Sequence, residues 1–128
     1  MRLLLDTHAL IWWVLGIDRL GPSAMAGLSD PSNEVLVSAV SAMEIATKFR
    51  IGKLPEARRI AQDFEAVVAE QAFTPLSISI QHARLAGSLQ LAHKDPFDRL
   101  LIAQSIMENL TLVTNEAMFE DFGVSRLW

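Results

Sequence analysis

A chain of 128 residues has room for one hydrophobic core, and 51% hydrophobic against 20% charged residues places it among folded globular proteins and excludes a disordered chain. The absence of cysteine rules out disulfides, zinc–thiolate centres and thiol nucleophiles, and suits a reducing compartment. A net charge of −4 argues against a non-specific nucleic-acid binder, though not against an enzyme that meets nucleic acid through a metal-filled acidic pocket with a local basic rim. The longest apolar stretch, Ala9 to Leu15, is too short to span a bilayer, and Met1-Arg2 leads to only three apolar residues before Asp6. The expectation is a cytoplasmic protein with no membrane contact.

Leu3-Leu4-Leu5 is an unbroken apolar run, the mark of a strand buried on both faces in a parallel sheet, and it stops at Asp6. Ligands of open α/β sheets gather at the carboxyl ends of the strands, so Asp6 stands where chemistry is expected. Thr7 can cap a helix through Ala9, Leu10, Trp12, Trp13 and Val14 that Gly16 stops, which leaves Asp6 no capping task. Gly21-Pro22-Ser23 opens a short second helix, and Asp30-Pro31-Ser32-Asn33 is a turn cluster. A strand from Glu34 to Ser38 precedes a helix from Ser41 to Phe49, with Gly52 and Pro55 closing the unit. Lys48, Arg50, Lys53, Arg58 and Arg59 crowd together there, either a solvated helix end or a basic rim. Ile60, Phe64, Val67 and Val68 predict one amphipathic helix, with Asp63, Glu65 and Glu70 outward and Thr74-Pro75 breaking it. Leu76 to Ile80 alternates apolar and polar, as a strand near an edge does, and Gln81 to Leu91 reads as a helix.

His93-Lys94-Asp95-Pro96-Phe97-Asp98-Arg99 leads into an apolar helix through Leu100, Leu101, Ile102, Ala103, Ile106 and Met107, which Asn109 can end in a left-handed cap. A strand from Leu110 to Thr114, a short helix from Glu116 to Phe122 and an edge strand from Val124 to Trp128 complete the chain. Helices and strands alternate throughout, which predicts an α/β fold: a mostly parallel twisted sheet of four to five strands with helices on both faces.

The acids carry the chemistry, and most also have an ordinary helix-end reading. Ser41 with Glu44 three residues on spells a capping box; Asp95 before Pro96 is an N-cap with Asp98 in the first turn; Asn115-Glu116 can cap the next helix. Their coincidence is what points beyond caps. Helix starts bring acids to the same side of one sheet as Asp6, and crowded carboxylates repel unless a cation joins them. Oxygen ligands without thiols favour Mg²⁺ or Mn²⁺, and a Mg²⁺ site on carboxylates completes its shell with water and phosphate oxygens. Phosphoester hydrolysis is the reaction class that follows.

Asp6-Thr7-His8, Ser38 to Glu44, the His93 to Arg99 block with Leu101-Ile102-Ala103 behind it, and Leu112 to Glu116 ending in Leu127-Trp128 together resemble a PIN-domain ribonuclease, and more closely a VapC-type toxin of a type II toxin–antitoxin pair. The resemblance runs the length of the chain in order. It implies a single PIN domain over residues 1–128, built as a three-layer α/β/α sandwich. It also implies a Mg²⁺- or Mn²⁺-dependent endoribonuclease cutting tRNA, rRNA or mRNA, silenced by a cognate antitoxin and present as a homodimer or a toxin–antitoxin hetero-oligomer. Carried over by position, the catalytic and metal-holding acids are Asp6, Glu44 and Asp98, with Asp95 an extra acid. Glu116 stands where the family usually has Asp, a departure that bears on the metal complement. Thr7, Ser38 and Thr114 are hydroxyl helpers or strand-end satisfiers, His93 supports the loop, and Arg99 and Lys94 meet flanking phosphates. A HAD-type phosphatase needs a second Asp two residues after the first, where this chain has His8. A degenerate PIN fold that only binds a partner protein is the remaining alternative. Trp12-Trp13 is a large aromatic pair for so small a domain. Part of the first two helices, or the helices around Phe49 and Phe64, is therefore expected to be covered by an antitoxin helix or a second subunit.

Overall fold

The computed structural model describes residues 1–90, 92 and 95–128. Its five strands are β1 (Arg2–Leu5), β2 (Glu34–Ser38), β3 (Thr74–Leu76), β4 (Thr111–Val113) and β5 (Arg126–Leu127). They form one sheet in the order β3-β2-β1-β4-β5, parallel at every pairing. The helices are α1 (Thr7–Leu15), α2 (Pro22–Ser29), α3 (Ala39–Arg50), α4 (Arg58–Gln62), α5 (Phe64–Glu70), α6 (Ile80–Ser88) and α7 (Pro96–Met107), with 3-10 turns at Pro55–Ala57 and Ala117–Phe122.

The expected α/β sandwich is present, and the strand pleat explains it. Leu3 and Leu5 point to one face, into a core with Leu10, Leu28, Ile60 and Val67 from α1, α2, α4 and α5. Leu4 points to the other, against Leu101 and Ile102 of α7 and Phe119 of the last 3-10 turn. A strand buried on both faces must be apolar at every position, which is why β1 reads as an unbroken leucine run. Among the described residues no helix is long and apolar enough to cross a membrane.

The register positions the site. Leu5 lies opposite Val37 on one side and Val113 on the other, so the next residues, Asp6, Ser38 and Thr114, form a row at the carboxyl end of the three central strands.

Several local expectations are corrected. Asp6, not Thr7, is the N-cap of α1: its Oδ1 accepts from Ala9 N–H at 2.7 Å. Thr7 is in the first turn and its hydroxyl meets the Ser41 hydroxyl at 3.0 Å. Ser38, not Ser41, caps α3, accepting from Val40 N–H at 3.0 Å, so Ser41 and Glu44 form no capping box. The cap of α1 lies one residue, and that of α3 three residues, earlier than the local pattern suggests, each at a strand end, because Thr7 and Ser41 bond each other across the two helices instead of capping their own. The amphipathic run from Ile60 is two helices that break at Asp63, and it ends before Ala72, whose φ of 58° is left-handed. The third strand begins at Thr74 and includes Pro75; an edge strand spares one row of backbone groups, so proline fits there. Ile80, expected in that strand, instead opens α6, which Ser79 caps and which ends at Ser88. Leu91, expected at the end of that helix, lies outside the described residues.

Candidate metal centre

The strand-end row is buried and hydrogen-bonded. Asp6 is 5% exposed, Thr7 3%, and Ser38 and Thr114 are fully enclosed. Burial pushes the Asp6 carboxyl up to about 6, against the opposing pull of the Thr114 hydroxyl, the Ala9 N–H and nearby His8; the Glu116 charge pushes the same way as burial. Thr114 works in both directions, bonding Asp6 and accepting from Glu116 N–H at 3.1 Å. Ser38 donates to Gln104 Oε1 at 2.6 Å, which ties the start of α3 to the middle of α7.

Above this row lies a small polar cavity of about 80 Å³. All five predicted acids line it: Asp6 from the end of β1, Glu44 from α3, Asp95 and Asp98 from the start of α7, and Glu116 from beyond β4. Thr7 lines it as well, whereas Ser38 and Thr114 lie beneath as supports. Asp95 is the exposed N-cap of α7, its Oδ1 accepting from Phe97 N–H at 2.9 Å and Asp98 N–H at 3.4 Å. Glu116 occupies an N-cap position without a side-chain cap bond. Arg99 is not part of the cavity wall; its guanidinium donates to Ala86 O at 2.8 Å and Leu89 O at 2.7 Å, closing the end of α6. His93 and Lys94 lie outside the described residues.

Three side chains join the site that sequence reasoning did not assign to it. Lys48 lines the cavity and donates to Glu44 Oε2 at 2.6 Å. The signal was there, a Glu and a Lys four apart on one helix. His8 forms the rim and is exposed. Gln104 is buried beneath Ser38, a contact across 66 residues of sequence that no local pattern reveals.

The donor set is carboxylate oxygen throughout, which fits a hard divalent cation such as Mg²⁺ or Mn²⁺. Asp6 gives a second reason: a carboxyl desolvated to the point of titrating near 6 gains most from a cation close by. Among the described residues no group of three His, Asp or Glu side chains forms a ready-made metal cage, and Lys48 neutralises Glu44 internally. That is compatible with Mg²⁺, which keeps several waters and takes few protein oxygens.

The family model of the PIN domain matches residues 3–124. No curated protein matches the chain. Among solved structures it is similar to VapBC2 from Rickettsia felis bound to a DNA fragment from their promoter, at 17% identity over 100% of each chain with a TM-score of 0.68. It is similar also to VapBC-1 from nontypeable Haemophilus influenzae, at 15% identity over 98% of this chain and 96% of that one, TM-score 0.66. A toxin–antitoxin complex from Klebsiella pneumoniae matches at 22% identity over 88% and 85%, TM-score 0.59. Likeness at such identities speaks for the fold alone. The family model, spanning nearly the whole sequence and meeting an acid-lined cavity at the carboxyl end of a parallel sheet, places this chain in the PIN domain family.

Proposed function

We propose that this PIN domain is the VapC-type toxin of a type II toxin–antitoxin pair, a cytoplasmic Mg²⁺- or Mn²⁺-dependent endoribonuclease that hydrolyses phosphodiester bonds of tRNA, rRNA or mRNA and so halts translation. The observation that carries this reading is the convergence of five carboxylates, buried Asp6 among them, from distant parts of the chain on one small cavity. Caps alone do not require a common cavity.

Asp6, Glu44 and Asp98 would hold the ion, with Glu116 and Asp95 available for a second ion or for a water. When bound, the ion supplies charge to a phosphate oxygen and acidity to a water, and the products are 5′-phosphate and 3′-hydroxyl ends. The chain's own groups set the stage. The Thr114 hydroxyl and the Ala9 N–H both bond the Asp6 carboxylate, which restricts its orientation. Ser38 and Gln104 anchor α3, which carries Glu44. Lys48 holds Glu44 while no cation is present and can turn to a phosphate once one is.

The partner is a cognate antitoxin, in a homodimeric or hetero-oligomeric assembly. Trp12 and Trp13 are only partly buried, and with Leu20 and Met25 they line an apolar hollow of about 330 Å³ on α1 and α2, which suits an antitoxin helix. A second reading, a degenerate PIN fold that binds a partner without cleaving RNA, is favoured by one observation, the internal Glu44–Lys48 ion pair.

Incubating antitoxin-free protein with structured RNA and Mn²⁺ or Mg²⁺ separates the two. Cleavage that chelation stops and that Asp6→Asn abolishes, with the fold intact by circular dichroism, supports the nuclease. Intact RNA with both ions sinks it in favour of the binding module.

A further inference from the structure

Beside the acidic cavity lies a second one, of about 340 Å³, and His8 lines both. Its size falls within the ~300–1,000 Å³ of small-ligand sites. One wall is the Trp12 indole, with the His8 ring 5.7 Å from it at an interplanar angle of 43°. The Arg19 guanidinium stands over the same indole, 5.7 Å from the ring centroid. Ile17 and Leu54 supply apolar lining, and Glu56 supplies a carboxylate. Among the described residues neither Arg19 nor Glu56 makes an ion pair, so the Glu56 carboxylate and the outer face of the Arg19 guanidinium are available to a ligand.

Aromatic and guanidinium planes facing a cavity are the means by which proteins hold an unstacked base, since every nucleobase offers a π face. A neutral peptide side chain has no use for a cation above an indole and a carboxylate in the same lining. A base with exocyclic amino groups uses all three: it stacks on the outer face of the Arg19 guanidinium, which itself lies over the Trp12 indole, and finds an acceptor in Glu56. His8 lines both cavities, so they adjoin, and a phosphate over the carboxylates would set its neighbouring base beside Trp12 and Arg19.

We propose that the cavity of His8, Trp12, Arg19 and Glu56 binds one nucleobase of the RNA substrate, next to the scissile phosphate, and so selects where the chain is cut. This rests on the RNA-cleaving reading above. Glu56 favours guanine there, whose N1–H and amino group offer a carboxylate two adjacent donors where uracil offers only its N3–H.

Two readouts test it, one of them independent of cleavage. In the first, guanosine 5′-monophosphate or ribose 5-phosphate is titrated, without metal, into the full chain while the indole N–H signal of Trp12 is followed by NMR. The nucleotide should move the signal, ribose 5-phosphate should not, and Arg19→Gln should weaken the nucleotide at least fivefold. In the second, an RNA oligonucleotide cut by the wild type is made abasic at one position at a time. One position beside the cut should raise KM roughly 5- to 150-fold, the equivalent of ~1–3 kcal/mol for one stacked base. That penalty should vanish in Arg19→Gln and in His8→Ala, both exposed positions. Equal responses to the two titrants, or an abasic penalty that persists in both variants, overturns the proposal. Should the wild type cleave no RNA while the nucleotide still moves Trp12, nucleotide binding at the cavity stands, and the selection of a cut site falls with the nuclease reading. A Trp12 signal indifferent to nucleotides but moved by the cognate antitoxin makes the cavity a protein-docking surface and overturns the base site.

Discussion

At the scale of single residues, Asp6 sets folding against chemistry. Its carboxyl is removed from water at the end of the central strand, and although the Thr114 hydroxyl and Ala9 N–H favour the ionised form, burial outweighs them. An ordinary Asp titrates at 3.8, whereas this one does so at about 6. Between those values the folded protein holds a proton that the unfolded chain has released. The resulting stabilisation is fully present below 3.8 and is lost as the pH rises through about 6. A shift of about two units corresponds to roughly 3 kcal/mol. In chelator, therefore, denaturant unfolding of the wild type should show stability declining by that order between pH 4 and 7, relative to Asp6→Asn, which has no carboxyl to ionise. Parallel pH curves for the two proteins would show that Asp6 is not strained by its charge. The same proton must leave before a cation binds, so Mn²⁺ affinity should fall below pH 6 in the wild type.

At the scale of elements, the site depends on how α3 and α7 are pinned together. Gln104 is the pin. Its Oε1 accepts from the Ser38 hydroxyl at 2.6 Å and its Nε2 donates to Ser77 O at 3.3 Å, while His82, beside it, accepts from Ser79 N–H and thereby presents its Nε2 proton to Glu108. Gln104→Leu fills the space but strands the Ser38 hydroxyl and the Ser77 carbonyl, so unfolding free energy should drop by ~1–3 kcal/mol. Removing both ends, in Ser38→Ala with Gln104→Leu, should cost less than the two single changes summed; strict additivity in the four denaturation curves would deny the coupling. This contact also marks where the sequence becomes silent. The three central strands were legible because a strand buried on both faces cannot hide its apolar run, and the acids because Asp6 ends a strand while Glu44, Asp95, Asp98 and Glu116 lie at or near helix starts. The caps were not. Asp6 and Thr7 are both good N-caps, as are Ser38 and Ser41, and what decides between them is the Thr7–Ser41 bond across 34 residues. The break at Asp63 and the early start of β3 were hidden likewise, since the apolar spacing through Val68 is equally well met by one helix or by two. Gln104 was invisible for the same reason: nothing local distinguishes a polar residue on an apolar helix from a surface one.

At the scale of the whole molecule, the question is how a chain of net charge −4 approaches a polyanion. The basic residues near α3 are largely committed: Lys48 to Glu44, Arg59 to Glu70, Arg58 over the Phe49 ring at 5.3 Å. Five carboxylates around one cavity add a repulsive field at the place where a phosphate must come closest. A divalent cation offsets two of those charges and would give a phosphate oxygen a positive neighbour, so in the proposed enzyme the ion is a condition for substrate binding as well as for hydrolysis. It is also a ligand of the folded state alone, because the acids come together only when β1, α3, α7 and the segment after β4 are assembled. At a free concentration 100 times its dissociation constant such a ligand adds about 2.7 kcal/mol to stability. For a domain of this length that is a rise in Tm on the order of 10 °C. Differential scanning fluorimetry at pH 7.5 should show this with Mn²⁺, with Lys48→Ala increasing apparent affinity a few-fold by freeing Glu44 and Asp6→Asn abolishing the rise. An unchanged Tm across a millimolar Mn²⁺ series would mean that the five acids hold no ion, and that their convergence serves the helix ends alone.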